Sequence, residues 1–397
     1  MTARCARCPT TLRHTRIHPV EYSIALTLAA LILLTIMCGT TLMGVDKAGM
    51  AHTANLFSGP AELVRQGMSP LAVVVVFVTV AAPLGKLVGT LYVLIRLHEN
   101  PPPRHLRRIF LIAEKLRPWS MIEVFVFGVF VAYVKLGDLV HLELDAGVYA
   151  LLALTVVLIW ADTALDREGI WNRLAPAIHD VNDRTGSLPT HSVDAIGCET
   201  CGLVNLLKPG GTSHCARCNA MLHTRRPNSV SRTWALLIAA AVLYVPANYY
   251  PVLTVMQLGA AQPSTILGGV QELVSSRLYP LAALVFFASI AVPMLKLLGL
   301  SGMLILVQAK RTPWLRDQTR LYHAVRFIGR WSMIDIFMES LLGALVKFGT
   351  VVTIEPGVGA LAFCGVVILT MFAAETFDPR LMWDIAETAG RRQPAPA

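Results

Sequence analysis

Long apolar stretches alternate with shorter polar ones along most of this chain of 397 residues. Each apolar stretch holds about 18 to 30 residues, which at about 1.5 Å per residue of helix spans most or all of a hydrocarbon layer roughly 30 Å thick. The pattern therefore predicts an all-α polytopic membrane protein. Its eight expected spans are residues 22–43, 70–97, 118–136, 146–165, 233–256, 279–308, 331–348 and 357–374.

The second half of the chain repeats the first. Arg-Trp-Ser-Met-Ile-Asp at 330–335 resembles Arg-Pro-Trp-Ser-Met-Ile-Glu at 117–123, and Pro-Leu-Gly-Lys at 83–86 resembles Pro-Met-Leu-Lys at 293–296. Each copy has an even number of spans and starts on the same side, which indicates two parallel four-helix repeats. The expected domains are an N-terminal segment 1–19, a first transmembrane module 20–166, a polar linker 167–232, a second transmembrane module 233–378 and a tail 379–397.

The composition agrees with a membrane protein, because 55% of the residues are hydrophobic and only 15% are charged. The formal net charge of +9 does not indicate a nucleic-acid partner. Lys and Arg are concentrated in the loops between apolar stretches, where they set topology. Their distribution predicts that both termini and the linker are cytoplasmic, and that residues 137–145 lie on the opposite side.

Four cysteines in the linker have the spacing of a zinc ribbon spanning residues 197–219. Two Cys-x-x-Cys pairs present four thiolates, which complete a tetrahedral site without an open position. We expect Zn as the cofactor, held by Cys198, Cys201, Cys215 and Cys218. Cys5 and Cys8 have the same spacing and form a possible second metal site, which His14 and His18 could complete; a missing half-ribbon is the other explanation.

Ionisable groups inside apolar spans are costly and need partners. We expect two ion pairs, Lys86 with Glu123 and Lys296 with Asp335. Each pair has two open interpretations, a contact that fixes two helices or a titratable relay. The second copy is richer in polar groups, which favours a function there; these groups are Ser289, Ser332, Glu339 and Thr370.

Span five is interrupted by Pro246, Asn248 and Pro251, which predicts a bent helix. With this motif, the ribbon and the paired acidic motifs, the chain resembles the paraquat-inducible protein A family over nearly its whole length. The first copy departs from that pattern, because its ribbon is incomplete and it lacks Pro-x-Asn-x-x-Pro.

The resemblance implies a bacterial inner-membrane protein with cytoplasmic zinc ribbons and tetraspanin-like four-helix modules. It also implies a periplasmic MCE-domain tunnel protein as partner, phospholipid as cargo, and a functional role for five positions: Ser289, Lys296, Ser332, Asp335 and Thr370. The chain has no Gly-x-x-x-x-Gly-Lys-Ser/Thr motif, so we expect no ATP hydrolysis and no enzyme activity. Two alternatives stay open, a proton-coupled exporter of small toxic compounds and a zinc-ribbon scaffold that responds to oxidants.

Overall fold

The computed structural model describes most of the chain: residues 2–4, 11–14, 19–47, 50–97, 99, 102–103, 105–137, 141–174, 195–206, 213–223, 225–257, 260–310, 315–345 and 352–391. Cys5, Cys8 and His18, and hence the possible second metal site, lie outside these residues. Helices make up most of what is described.

Seven helices in the described part of the chain are long and apolar enough to cross a membrane. They confirm seven of the eight expected spans. The third begins at His105 instead of residue 118, the fifth ends at Tyr249 instead of residue 256, and the other ends shift by a few residues. The seven are Val20–Gly39, Ser69–Arg96, His105–Lys135, Ala146–Ala164, Ser229–Tyr249, Tyr279–Gln308 and Val358–Thr376.

The remaining expected span, at 331–348, is not among the seven. Its described helix, Ile334–Leu345, has 12 residues and is therefore about 18 Å long at about 1.5 Å per residue, short of the hydrocarbon thickness. A 3₁₀ segment, Gly329–Met333, separates it from the preceding helix Leu315–Ile328.

The first half of the chain begins with a short strand pair, Thr2–Arg4 (β1) and Thr11–His14 (β2). The elements that follow are α1 (Pro19–Gly39), β3 (Thr41–Lys47), β4 (Met50–Asn55), α2 (Ser58–Arg65), α3 (Ser69–Val76), a π-helical segment Phe77–Ala81, α4 (Ala82–Arg96), α5 (His105–Leu116), a 3₁₀ segment Arg117–Trp119, α6 (Ile122–Gly137), β5 (His141–Leu144), α7 (Ala146–Ala164) and α8 (Arg167–Leu174). Four short strands follow in the linker: β6 (Ala195–Gly197), β7 (Val204–Leu206), β8 (Ser213–His214) and β9 (Met221–Leu222).

The second half has the same order of elements. They are α9 (Ser229–Tyr249), β10 (Leu253–Gln257), β11 (Ala260–Ser264), α10 (Ile266–Ser275), α11 (Tyr279–Phe286), a π-helical segment Phe287–Ala291, α12 (Val292–Gln308), α13 (Leu315–Ile328), the 3₁₀ segment, α14 (Ile334–Leu345), β12 (Val352–Pro356), α15 (Val358–Thr376) and α16 (Arg380–Arg391). This order supports the predicted duplication.

Two three-stranded antiparallel sheets correct the all-α expectation. One has the order β4-β3-β5 and the other β11-β10-β12. In each copy, the hairpin that follows the first long helix pairs with the strand that precedes the last membrane-length helix. These strands lie where the sequence predicts loops or, for β3 and β10, the ends of spans one and five. Short strands between long helices carry too few residues to show a clear period of two.

The chain divides into two compact units. One comprises Met1–Ile36, Ala82–Ser120 and Ala150–Leu222, and contains the zinc-ribbon segment. The other comprises Met37–Ala81, Met121–Tyr149 and His223–Ala397. In this second unit α9 packs along α15, and α14 packs against α2 and α6.

Candidate functional site

Two β-hairpins of the first unit, β6–β7 and β8–β9, hold the four linker cysteines. Each Cys-x-x-Cys pair follows a strand and closes a tight turn, because the N–H of Cys198 donates to Leu203 O and that of Cys215 to Ala220 O, both at 2.8 Å. The turns end at Gly202 (φ +73°) and Asn219 (φ +60°), in the left-handed region that glycine and asparagine tolerate best.

The four thiols converge on one point, with all Sγ atoms within 4.8 Å of one another. Sγ of Cys198 lies 3.4 Å from that of Cys218, and Sγ of Cys201 lies 3.5 Å from that of Cys215. None of these cysteines forms a disulfide. A tetrahedral zinc site with Zn–S bonds of about 2.3 Å needs sulfurs roughly 3.8 Å apart, so the cluster fits a metal ion with little adjustment.

Hydrogen bonds to sulfur prepare the cluster for metal binding. Burial opposes ionisation of Cys215, but hydrogen bonds from the backbone of Cys218 and Arg217 and from the side chains of Cys201 and Asn205 together outweigh it and lower the pKa of that thiol to about 7. The Asn205 amide also donates to Cys215 Sγ, at 3.6 Å. Burial instead raises the pKa of Cys201 to about 12. A cation is what would allow all four thiolates to form together.

The cysteine cluster also belongs to a larger hydrophobic core. Its cysteines pack in one group with side chains from α4, α5 and α8, including Leu94, Leu106, Phe110 and Trp171. Arg217, between two of the cysteines, donates to Asn172 Oδ1 on α8 at 2.6 Å. The ribbon therefore packs tightly on these three helices.

Helix α14 is the most deeply enclosed element of the second unit. Every residue from Ser332 to Gly343 is buried, and polar groups are among them. Three of those groups share one face, at spacings of three and four residues, and each has a buried oxygen without a hydrogen-bond partner in the described structure; they are Ser332 Oγ, Asp335 Oδ2 and Glu339 Oε2. Unpartnered buried oxygens cost stability and are uncommon, which marks this face as a candidate site.

Lys296 lies 1% exposed, and its ammonium group binds neutral acceptors. Nζ donates to Gly329 O at 2.9 Å and to Thr370 Oγ1 at 3.4 Å. The expected ion pair of Lys296 with Asp335 is not formed. Gly329, whose carbonyl accepts the lysine, is the first residue of the 3₁₀ segment.

The π-helical segment accounts for the different directions of the Ser289 and Lys296 side chains. Ser289 and Lys296 are seven residues apart and would share one face of a regular α-helix. The segment Phe287–Ala291 adds the equivalent of one residue to the turn, which rotates the following side chains by roughly 100° relative to an unbroken helix. Ser289 therefore faces Asp335, whereas Lys296 points to Gly329 and Thr370.

Asp335 and Glu339 border a small cavity of about 40 Å³. Polar lining comes from Lys135 on α6, Ser289 and Thr265, and apolar lining comes from residues such as Val285 and Phe363. Lys135 is the cation that acts electrostatically on both carboxylates. A cavity of this size has room for a few water molecules or one small polar group.

The equivalent lysine of the first copy has a different partner. Lys86 Nζ lies 2.7 and 2.8 Å from the two carboxylate oxygens of Asp162 on α7, and Arg117 Nε lies 3.6 Å from the same carboxylate. Glu123 is exposed on α6. The predicted Lys86–Glu123 pair is therefore wrong.

Sequence reasoning missed Lys135 and Asp162. Both lie near the ends of apolar spans, where charged residues are usually taken as boundary markers. The position of Asp162 in the repeat could have identified it. Leu158 is the counterpart of Thr370, which contacts Lys296. Asp162 is one helical turn beyond Leu158 and can therefore reach Lys86, the counterpart of Lys296.

Seven membrane-crossing helices, a buried polar cluster and a four-cysteine cluster define a multi-pass membrane protein with a candidate metal site. The model of the family "Paraquat-inducible protein A" matches residues 20–175 and 230–387, so the chain belongs to this family.

Curated relatives match almost the whole chain. The chain is 34% identical over 385 residues to the intermembrane transport protein PqiA of Escherichia coli K12, covering 96% of this chain and 90% of the relative. It is 30% identical over 391 residues to the lipophilic envelope-spanning tunnel protein A of the same organism, covering 98% and 88%. A probable intermembrane transport protein of Haemophilus influenzae is 26% identical over 389 residues, covering 96% and 91%. No solved structure matches.

Proposed function

We propose that this chain is the inner-membrane component of an intermembrane lipid transport system. It would pass phospholipids to or from a periplasmic MCE-domain tunnel protein. Relatives named as intermembrane transport proteins support this role, since the similarity extends over nearly both full lengths. The observation that carries the proposal is the face of Ser332, Asp335 and Glu339, whose buried oxygens have no partner in the described structure.

The topology we propose has both termini and the linker in the cytoplasm, and eight spans in two parallel repeats. Lys and Arg in the loops favour this orientation. A short seventh span crosses with the help of α13, from which only the 3₁₀ segment separates it. Reporter fusions at residues 142 and 312 test it, with external activity expected for the first and internal for the second.

We propose that the cysteine cluster binds one structural zinc ion. The closed set of four thiols leaves no position for a substrate, so the ion stabilises the ribbon instead of acting in catalysis. Metal analysis of the purified protein should find one zinc per chain. A Cys198→Ser/Cys215→Ser variant should lose that zinc and unfold the ribbon; full retention of zinc would contradict the assignment.

Transport is proposed to use the ionisation of Asp335. Asp335→Asn keeps the size of the side chain but cannot ionise, so it should abolish function while the protein still inserts. Glu123→Gln is the matched control, because Glu123 has the equivalent sequence position but is exposed. The measurement is growth under detergent stress of a strain that depends on this chain, with membrane levels checked by immunoblot.

Lipid transport itself is tested by identifying lipids bound to the purified chain. We expect phospholipid to copurify with both the wild type and Asp335→Asn, although transfer stops in the variant. This result would support a defect in lipid release to the partner and not in lipid binding. Full complementation by Asp335→Asn at normal levels would reduce the cluster to a structural role. Export of a small toxic compound without lipid transfer would replace the proposed cargo.

A further inference from the structure

The cavity beside α14 is lined by two acidic side chains and one basic side chain. Asp335 and Glu339 lie one helical turn apart on the same face, and both line the cavity. Glu339 is 2% exposed and Asp335 is 6% exposed, so neither carboxylate has much contact with solvent. Their electrostatic neighbours are each other and Lys135. If all three groups were ionised, the cavity would carry one uncompensated negative charge.

The other charged groups near the cavity do not supply the missing positive charge. Lys296 donates its hydrogen bonds to Gly329 and Thr370 and does not line the cavity. Glu272 on α10, which acts on Lys135, is exposed. Cys364 on α15 borders Glu339, but a thiol is mostly uncharged at neutral pH.

Elements packed on α14 add two acids and one exposed base, Arg65 on α2, among the side chains that the structure describes. Glu62 on α2 accepts a hydrogen bond from Gln66 at 2.8 Å, and Glu355 lies on β12. No arginine lines the cavity.

We propose that Asp335 and Glu339 together hold one exchangeable proton, and that Lys135 fixes this number at one by neutralising the second carboxylate. Two neighbouring buried carboxylates cannot both ionise against a single ammonium group without a large cost, and a shared proton removes that cost. The proton also gives one unpartnered carboxyl oxygen a hydrogen to donate. Serine and threonine oxygens of the cavity, on Ser289 and Thr265, are acceptors for it.

This proposal assigns a site to the coupling ion of the transport function proposed above. Its use in transport rests on that function, whereas the number of bound protons does not. Lys135 is a positioning residue in this scheme, because it acts on the proton through the carboxylates.

Infrared spectroscopy of the purified full-length chain in lipid nanodiscs at neutral pH tests the proposal. A protonated carboxylic acid has a C=O stretch that is separate from the bands of a carboxylate. Charge balance predicts one protonated acid in wild type, none in Glu339→Gln or Asp335→Asn, and two in Lys135→Met. Glu123→Gln should keep the wild-type band.

The variants assign the band, since Glu62 and Asp378 are also buried carboxyl groups. Both amide substitutions imitate the protonated form in size and charge, so the fold is expected to survive, and a single chromatographic peak checks it. A wild-type spectrum without the band overturns the proposal, as does a band that neither amide variant removes. A band that disappears when sodium chloride replaces choline chloride would mean that sodium, not a proton, occupies the cavity.

If transport does not depend on Asp335 but the band changes as predicted across the variants, the proton site is supported and the proposed use of Asp335 in transport is contradicted. If transport depends on Asp335 but the band does not change as predicted, the function is supported and the shared proton is contradicted.

Discussion

Lys86 and Lys296 occupy matching positions, 210 residues apart, and have different partners. Lys86 forms an ion pair with Asp162, close to which Arg117 also lies. Lys296 is more deeply buried, and within the described part of the chain it donates to the Gly329 carbonyl and the Thr370 hydroxyl. The first arrangement neutralises the lysine with a charge of opposite sign, whereas in the second the described partners are neutral acceptors that solvate the ammonium group without cancelling its charge. The difference indicates a structural contact at the first lysine, and under the proposed function it makes the second lysine the better candidate for a group that changes its charge.

The largest effect on stability is expected from Asp162→Ala. It leaves the Lys86 ammonium in an apolar environment without a counter-charge, which should cost about 3 kcal/mol of unfolding free energy. Thermal unfolding of the purified protein measures it. A Lys86→Met/Asp162→Leu double variant should recover most of the loss, because it removes both charges. If the double variant is as unstable as the single one, the pair is not a structural contact.

A smaller loss is expected from Thr370→Val. Valine has the same shape but cannot accept the Lys296 hydrogen bond, so the protein should lose about 1 kcal/mol. Leu158→Thr, at the matching position of the first copy, is the control and should not change how Lys86 is held. A loss above roughly 3 kcal/mol would show that Thr370 compensates the lysine charge more strongly than one neutral hydrogen bond can.

The smallest effect on stability is expected from Lys296→Met. Methionine removes a buried charge and leaves only neutral groups behind, so the unfolding free energy should change by less than about 1 kcal/mol. Growth of the dependent strain under detergent stress should nevertheless be lost. Lys86→Met should preserve that growth, since Arg117 still lies near Asp162. Equal growth of both variants would remove the distinction between the two copies.

Hydrophobic pattern was sufficient to locate seven spans, because each is an uninterrupted apolar run. The shortness of α14 was not predictable, since the 3₁₀ segment before it and the strand after it are set by contacts with other elements. The sheets were not predicted for the same reason, because strands that are distant in the sequence pair with one another, β3 with β5 and β10 with β12.

For the candidate site, residue types were predictable and partners were not. The four cysteines were found from spacing alone, because a closed metal site imposes its own geometry. Ser289, Asp335 and Glu339 do lie together, but the cation beside them is Lys135 instead of Lys296. The expected pair rested on opposite charges in two spans, whereas the direction of each side chain also depends on the π-helical segment, which a count of 3.6 residues per turn does not include.

The shared core of the ribbon has a consequence for how cells keep this protein folded. The four cysteines and the side chains of Leu94, Phe110 and Trp171 form one cluster, so opening the cysteine-bearing hairpins would expose apolar surface of α4, α5 and α8 to water. Binding that occurs only in the folded form adds a stabilisation that grows with the logarithm of free ligand concentration. If the proposed zinc binds here, metal supply acts by mass action on these helices, and a zinc-starved cell would hold a larger fraction of chains with the ribbon open.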